Sequence, residues 1–264
     1  MGCDHGALSE AARRNRQKQL SMPVDFSVFA FLSFGEGGYG DQFAAAFVQT
    51  VTVAAGSFCV GAVAGLVGSC AKRSRHSLLR LLGHTYTTVV RAVPELLCLL
   101  IAFYALAPAL ESGLRALGFF SHALTFNPLA VAICSLGFIQ GAYLTDIFCG
   151  AFIAVPAGQI EAALAFGMTR ALIFRRVRLP LALRLALPGV SNVWLNATKD
   201  ASYISVLGGF SDLIKVSQLA AGATRHYLFF HLVTAALFLS LSIASMALFG
   251  CLEGRVNRGV VTIS

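Results

Sequence analysis

Five charged side chains sit where hydrocarbon surroundings make them costly. Arg91, Glu95, Asp146, Lys199 and Asp200 all fall inside long apolar runs. A charge at the centre of a spanning helix costs about 2.5–3.5 kcal/mol on insertion scales, so each needs a partner or a task. Arg91 and Glu95 are four residues apart, which places them on one helical face within pairing reach. Pro94 lies between them and is expected to kink or break the helix at that point. Arg91 is placed to snorkel its guanidinium toward the nearer membrane face. Lys199 and Asp200 are adjacent, with Ser202 just beyond, at a bend or an outer gate. Trp194 is also in mid-run, away from the interfacial belts where tryptophan gathers, and either packs in the core or lines a path through it. Such residues serve one of two ends: ion pairs that hold helices together, or a route for polar cargo.

Catalytic chemistry finds no such support. No G-x-x-x-x-G-K-[ST], H-E-x-x-H or G-x-S-x-G occurs, and the six histidines are scattered without metal spacing. The glycines at 35, 37, 38 and 40 follow no strand and open no βαβ unit, so they are not a dinucleotide fingerprint. The seven cysteines include no CxxC pair and read as small apolar core residues. The expectation is therefore no catalytic residue, no metal and no cofactor bound by this chain.

The elements that must position these charges are membrane helices. The chain has 264 residues, 57% of them hydrophobic and 12% charged, against about 25% charged in an average soluble chain. A spanning helix needs about 20 largely apolar residues. Residues 43–70 and 227–252 are free of charge or nearly so; 88–110, 128–148 and 185–209 are less pure. Five spans put the two chain ends on opposite sides. One set of connecting segments holds eleven basic residues: Lys72, Arg73, Arg75, Arg80, Arg170, Arg175, Arg176, Arg178, Arg184, Arg255 and Arg258. The other holds Arg115, Lys215 and Arg225. The positive-inside rule makes the first set cytoplasmic, with the amino end outside and the carboxyl end inside. Arg13, Arg14, Arg16 and Lys18 fall on the wrong side of that scheme. The expectation is a start at Met22, with residues 1–21 a mis-called basic extension; the alternative is a tolerated tail. Residues 22–42 read as an amphipathic segment whose Phe26, Phe29, Phe31, Leu32 and Phe34 suit the outer interface. Residues 43–252 form the membrane domain, and 253–264 a cytoplasmic tail.

The informative connection is residues 151–184. Pro156 and Gly158 mark a turn, and Glu161-Ala162-Ala163 are expected to open a helix with its acid near the positive end of the dipole. Small residues at 162, 163 and 167 leave a surface shallow enough for close packing on a partner. Arg175, Arg176 and Arg178 form a basic stretch before Pro180, which is expected to interrupt helix continuation. Physics alone gives a short amphipathic helix-turn-helix on the inner face, resting on lipid or docking a partner.

The residues Glu161-Ala162-Ala163, Gly167, Val177, Leu179 and Pro180 resemble the EAA loop of ABC-importer permease subunits, with Val177 where that pattern has Ile. Gly141-Ala142-Tyr143, Asp146-Ile147-Phe148 and Gly150-Ala151 are similar to the third-span signature of the polar amino acid branch. So are Pro156, Gly158-Gln159, Ala186-Leu187-Pro188-Gly189 and Lys199-Asp200 with Ser202. Arg91-Ala92-Val93-Pro94-Glu95-Leu96 looks like the R-G-V-P-[DE]-L of subunits handling histidine, lysine, arginine and ornithine or octopine and nopaline. The resemblance covers roughly residues 25–255. It departs at Ala92, where Gly is usual, and at Cys149, where Arg is usual and would have offered Asp146 a partner.

The resemblance implies an all-α integral membrane protein of the type I ABC-importer permease fold. It implies a second permease subunit (the same or a sibling chain), a pair of ATP-binding subunits that hold ATP and Mg, and a periplasmic binding protein, in a bacterial inner membrane and without nucleic acid. Glu161, Ala162, Ala163, Gly167, Leu179 and Pro180 would couple to the ATPase through a coupling helix of roughly residues 157–170. A cationic amino acid needs a carboxylate on its path, and Glu95 is the best placed, with an ion pair as the alternative role. Asp146 is expected to anchor an inner gate. The competing readings are an integral membrane enzyme using Asp146 or Glu95, and a secondary transporter, against which the lack of a visible repeat argues.

Overall fold

A computed structural model describes residues 31–35, 38–116, 127–207 and 209–256. The basic tail, Phe26, Phe29 and the carboxyl-terminal residues from 257 lie outside the described residues. The chain divides into two compact units, residues 1–45 and 46–264. In the first, Phe31–Leu32 lie in a 3-10 turn before a tight loop in which Tyr39 N–H donates to Phe31 O at 2.7 Å and Gly35 N–H to Asp41 Oδ2 at 2.9 Å. A methyl on Gly38 would lie 1.9 Å from Ser33 O, so that glycine serves a close backbone approach.

The described residues are helical, without a strand. Helix α1 spans Gly40–Lys72, α2 Ser77–Ala92 and α3 Glu95–Ala116; α4 spans Pro128–Ile153 and α5 Ala157–Ala165. Helix α6 covers residues 170–200 without a break, and a 3-10 turn and one α-turn carry it to Leu207. Helix α7 is Leu213–Thr224 and α8 is Tyr227–Val256. Among the described residues, four helices, α1, α3, α4 and α8, are long and apolar enough to cross a membrane. The fifth expected span lies in α6 and its extension. It is helical, but Asn192, Asn196, Thr198, Lys199 and Asp200 lower its apolarity. Its Ala182, Ala186, Val193 and Ala197 face is buried, and the helix packs on α4 and α8. An interior helix of this kind need not be greasy all round.

The break expected at Pro94 occurs and divides an expected span, whereas the interruption expected at Pro180 does not occur. The span drawn over 88–110 is two helices. Val93 (φ −97°, ψ 138°) and Pro94 (φ −54°, ψ 132°) are extended, so α2 ends at Ala92 and α3 starts at Glu95. The ring of Pro94 disfavours helical geometry at the residue before it. Pro180, by contrast, does not interrupt its helix. Phe174–Arg178 form a π turn, with Leu179 N–H donating to Phe174 O, and Pro180 follows within the same continuous helix. A widened turn re-spaces the backbone just where proline lacks a donor. Cysteine burial differs too: Cys59, Cys70, Cys134 and Cys251 are exposed on helix faces and not in the core.

Helices α1 and α4 run parallel and very close. A methyl on Gly65 would lie 2.6 Å from Leu144 Cβ, and one on Gly68 would lie 2.2 Å from Thr145 Oγ1, so small residues set this crossing. Helix α6 is antiparallel to α4: Arg178 meets Phe152, and Gly189 meets Ile147. Val53, Leu99, Leu136, Ile139, Ala142 and Ile204 form the core where α1, α3, α4 and the end of α6 converge.

Candidate functional site

Two regions hold the residues singled out in the sequence. The first is the connection between α4 and α6. Helix α5 starts at Ala157, one residue after Pro156, so Glu161 stands in its second turn and not at the dipole's positive end as expected. The helix closes in a Schellman motif: Gly167 N–H donates to Leu164 O at 2.9 Å and Met168 N–H to Ala163 O at 3.1 Å. Gly167 has φ +74°, and nothing lies within 4 Å of where its Cβ would be. Its requirement is backbone geometry and not space. Ala163 is buried within the chain, whereas Glu161 and Ala162 face outward. The small residues therefore divide their work between inner packing and an open outer face. Thr169 Oγ1 then accepts from Leu172 N–H and starts the next helix. Leu179 is half-buried and Pro180 exposed within α6.

Phe166 caps α5 with 87% of its surface exposed, and Leu164 beside it is also exposed. Sequence reasoning passed over both. The signal was an aromatic residue directly before a helix-ending glycine, where no core awaits it.

The second region is a chain of polar groups through the helix bundle. The Glu95 carboxyl, in the first turn of α3, lies close enough to the Tyr143 hydroxyl and the Asp200 carboxyl to interact with both. Asp200 is buried at the end of α6, and Tyr203 stands close to both acids. The Arg91 guanidinium lies 5.1 Å from the centre of the Tyr143 ring. Beyond it, Asp146 pairs with Arg91 through one oxygen and with Lys72 Nζ at 2.5 Å through the other. Lys72 is 9% exposed. Lys72, Thr87, Thr88, Arg91, Ala92 and Asp146 line a polar cavity of about 340 Å³.

The expected Arg91–Glu95 pair on one helix face does not form, because the break at Pro94 places the two on different helices. Arg91 pairs with Asp146, 55 residues away. The partner that Cys149 seemed to deny Asp146 is supplied twice over, by α1 and α2. Lys72 and Tyr203 were not among the candidates; nothing in their local spacing ties them to Asp146 or Asp200.

Trp194 is off this path. Its indole N–H donates to Ser245 Oγ at 2.9 Å and its ring meets Phe58 edge-on at 5.3 Å, so it joins α6 to α8 and α1. Lys199 is exposed beside Asp200, and Ser202 Oγ donates to Lys199 O at 2.6 Å, a local bond at the end of α6.

Residues 57–258 match the family described as binding-protein-dependent transport system inner membrane component. The histidine/lysine/arginine/ornithine transport system permease protein HisQ of Escherichia coli (strain K12) is 39% identical over 211 residues, covering 80% of this chain and 91% of that protein. The nopaline transport system permease protein NocQ of Agrobacterium fabrum is 40% identical over 231 residues, covering 87% of this chain and 97% of that one. A solved structure described as an amino acid ABC transporter with histidines superposes with a TM-score of 0.71 at 25% identity, over 89% of this chain and all of that one.

Proposed function

The chain belongs to the family of binding-protein-dependent transport system inner membrane components, and from that premise we propose that it carries a basic amino acid or an opine across the bacterial inner membrane. It is a membrane-embedded permease subunit of an ABC importer and not an enzyme. The secondary-carrier reading falls with the same membership.

One observation carries the substrate reading: two carboxyl groups, Glu95 and Asp200, meet inside an apolar bundle with Tyr143 and Tyr203 at their sides. Like charges held together in low dielectric repel strongly, and a cation placed between them removes that cost. An ammonium or guanidinium side chain answers this chemistry, as a neutral side chain does not. Further along the path, Arg91, Asp146 and Lys72 tie α2, α4 and α1 together and act as the inner gate.

Substrate reaches the path from a periplasmic binding protein. A second permease subunit completes the pathway, and two ATP-binding subunits, holding ATP and Mg, dock on α5 and its flanks. Glu161, Ala162 and Gly167 form the docking ridge, with Leu179 and Pro180 in the helix that carries its motion inward. ATP binding must favour one state of the bundle over the other for coupling to occur. The basic residues around Lys72 and Arg178 support a cytoplasmic placement of α5 and of the carboxyl end, with the amino end outside.

The test is uptake of labelled arginine or histidine by the reconstituted full importer. Glu95→Gln and Asp200→Asn should each lower uptake by roughly ten- to a hundredfold, the worth of a charged hydrogen bond. Uptake of a basic substrate unchanged by either substitution, with the complex intact, would sink the substrate reading.

A further inference from the structure

Two spans end side by side at the face that carries α5. Arg73 directly follows Lys72, the last residue of α1, and Phe152 lies in the last turn of α4. The Arg73 guanidinium stacks on the Phe152 ring, 4.3 Å from its centre. Phe152 in turn stacks on Phe174, with ring centres 6.1 Å apart and planes 10° from parallel. Arg178 Nη2 donates to Phe152 O at 3.5 Å, while Arg178 Nε is buried with no hydrogen-bond partner. Burial, and then the nearby Arg178 charge, push the Arg73 guanidinium below its ordinary pKa. Among the described residues, both ion pairs use Asp146, so neither arginine has a carboxylate.

Two guanidinium groups have thus been brought together against repulsion, with donors left over and no anion from the chain. A guanidinium stacked on a ring keeps its edge N–H groups free for a bidentate oxyanion. The depth is that of the headgroups, since both flanking residues mark the ends of spans. Ile153 and Phe174, exposed by 72% and 46%, form an apolar surface beside the pair that an acyl chain would cover and a soluble anion would leave wet. We propose that Arg73 and Arg178 form a binding site for the headgroup phosphate of an anionic phospholipid in the leaflet at this face. The inference rests on the chain spanning a membrane and not on the substrate reading.

The experiment measures phosphatidylglycerol binding to the detergent-purified full importer by native mass spectrometry. R73Q/R178Q should weaken binding roughly thirtyfold, from the loss of two interfacial charges. R175Q/R176Q, which removes two exposed arginines of the same helix, should change it by no more than about threefold. R73K/R178K keeps the charge and should retain most of the binding, which guards against a folding failure of the glutamine variant. Equal affinity of R73Q/R178Q and wild type would overturn the site, as would equal binding of phosphatidylcholine. Displacement of the lipid by millimolar inorganic phosphate would show a soluble-anion site and overturn the lipid assignment. Loss of the ATP-binding subunits from R73Q/R178Q with lipid binding intact would make this a protein-docking surface and overturn it as well.

Discussion

The α4–α6 connection and the charge path through the bundle are built on opposite principles. The connection is made of neighbours: the backbone bonds that open and close α5 join residues within five positions, between Pro156 and Met168. Its outer face is bare, with Glu161, Ala162 and Phe166 exposed. The charge path is made of strangers. Asp146 meets Lys72 across 74 residues in a partly enclosed bond and Arg91 across 55 in a more open one. A surface that offers itself to a partner need only hold its own backbone shape. A charge held in a bundle must have its counter-charge delivered by another helix, so removing one partner strands the other.

That contrast can be broken or sharpened by substitution. The largest effect is expected at Asp146. Asp146→Ala leaves the nearly buried Lys72, and the half-exposed Arg91, without a counter-charge and should cost about 2–3 kcal/mol after solvent screening, read as a fall in the thermal midpoint of the purified complex. A stable Asp146→Ala complex would mean that the bundle does not depend on this junction. Next comes the α1–α4 contact: Gly65→Leu drives a side chain into Leu144, where even a Cβ would come within 2.6 Å, and should destabilise by about 1–3 kcal/mol or block assembly. In the connection the effects are smaller and differently directed. Gly167→Ala forces a side chain into left-handed geometry at a cost of about 1–2 kcal/mol. It should lower ATP-driven uptake by more than it lowers thermal stability. Phe166→Ala should change stability by no more than about 0.5 kcal/mol and still reduce co-purification of the ATP-binding subunits. If Phe166→Ala weakened the fold as much as Asp146→Ala, the two regions would not differ as described.

The same division governs what could be read in advance. The motif Glu161-Ala162-Ala163 with Gly167 was legible because a helix ending on a left-handed residue calls for glycine, and that demand lies within one turn. Even there, Glu161-Ala162-Ala163 stand in the second turn of α5 instead of opening it, since Pro156 works as a cap and not merely as a turn marker. Pro94 was legible as a breaker, but its consequence for Arg91 was not. Pro180 misled, because the π turn before it absorbs what a regular helix could not. The small-residue faces of α1 and α4 are visible as glycines in the sequence, yet only packing shows that they meet.

Composition and charge placement in the sequence determined that this is a membrane protein, which side its basic connections favour, and where the Glu161-Ala162-Ala163 connection lies. Those are properties of single segments, decided by transfer free energy and backbone conformation. Only the tertiary structure decided that Arg91 answers Asp146 instead of Glu95, that Glu95 and Asp200 lie close together, and that Arg73 and Arg178 meet at one residue, Phe152. Each of these depends on the depth and rotation at which one helix packs on another. That is set by side-chain fit across the whole bundle and is carried by no local period.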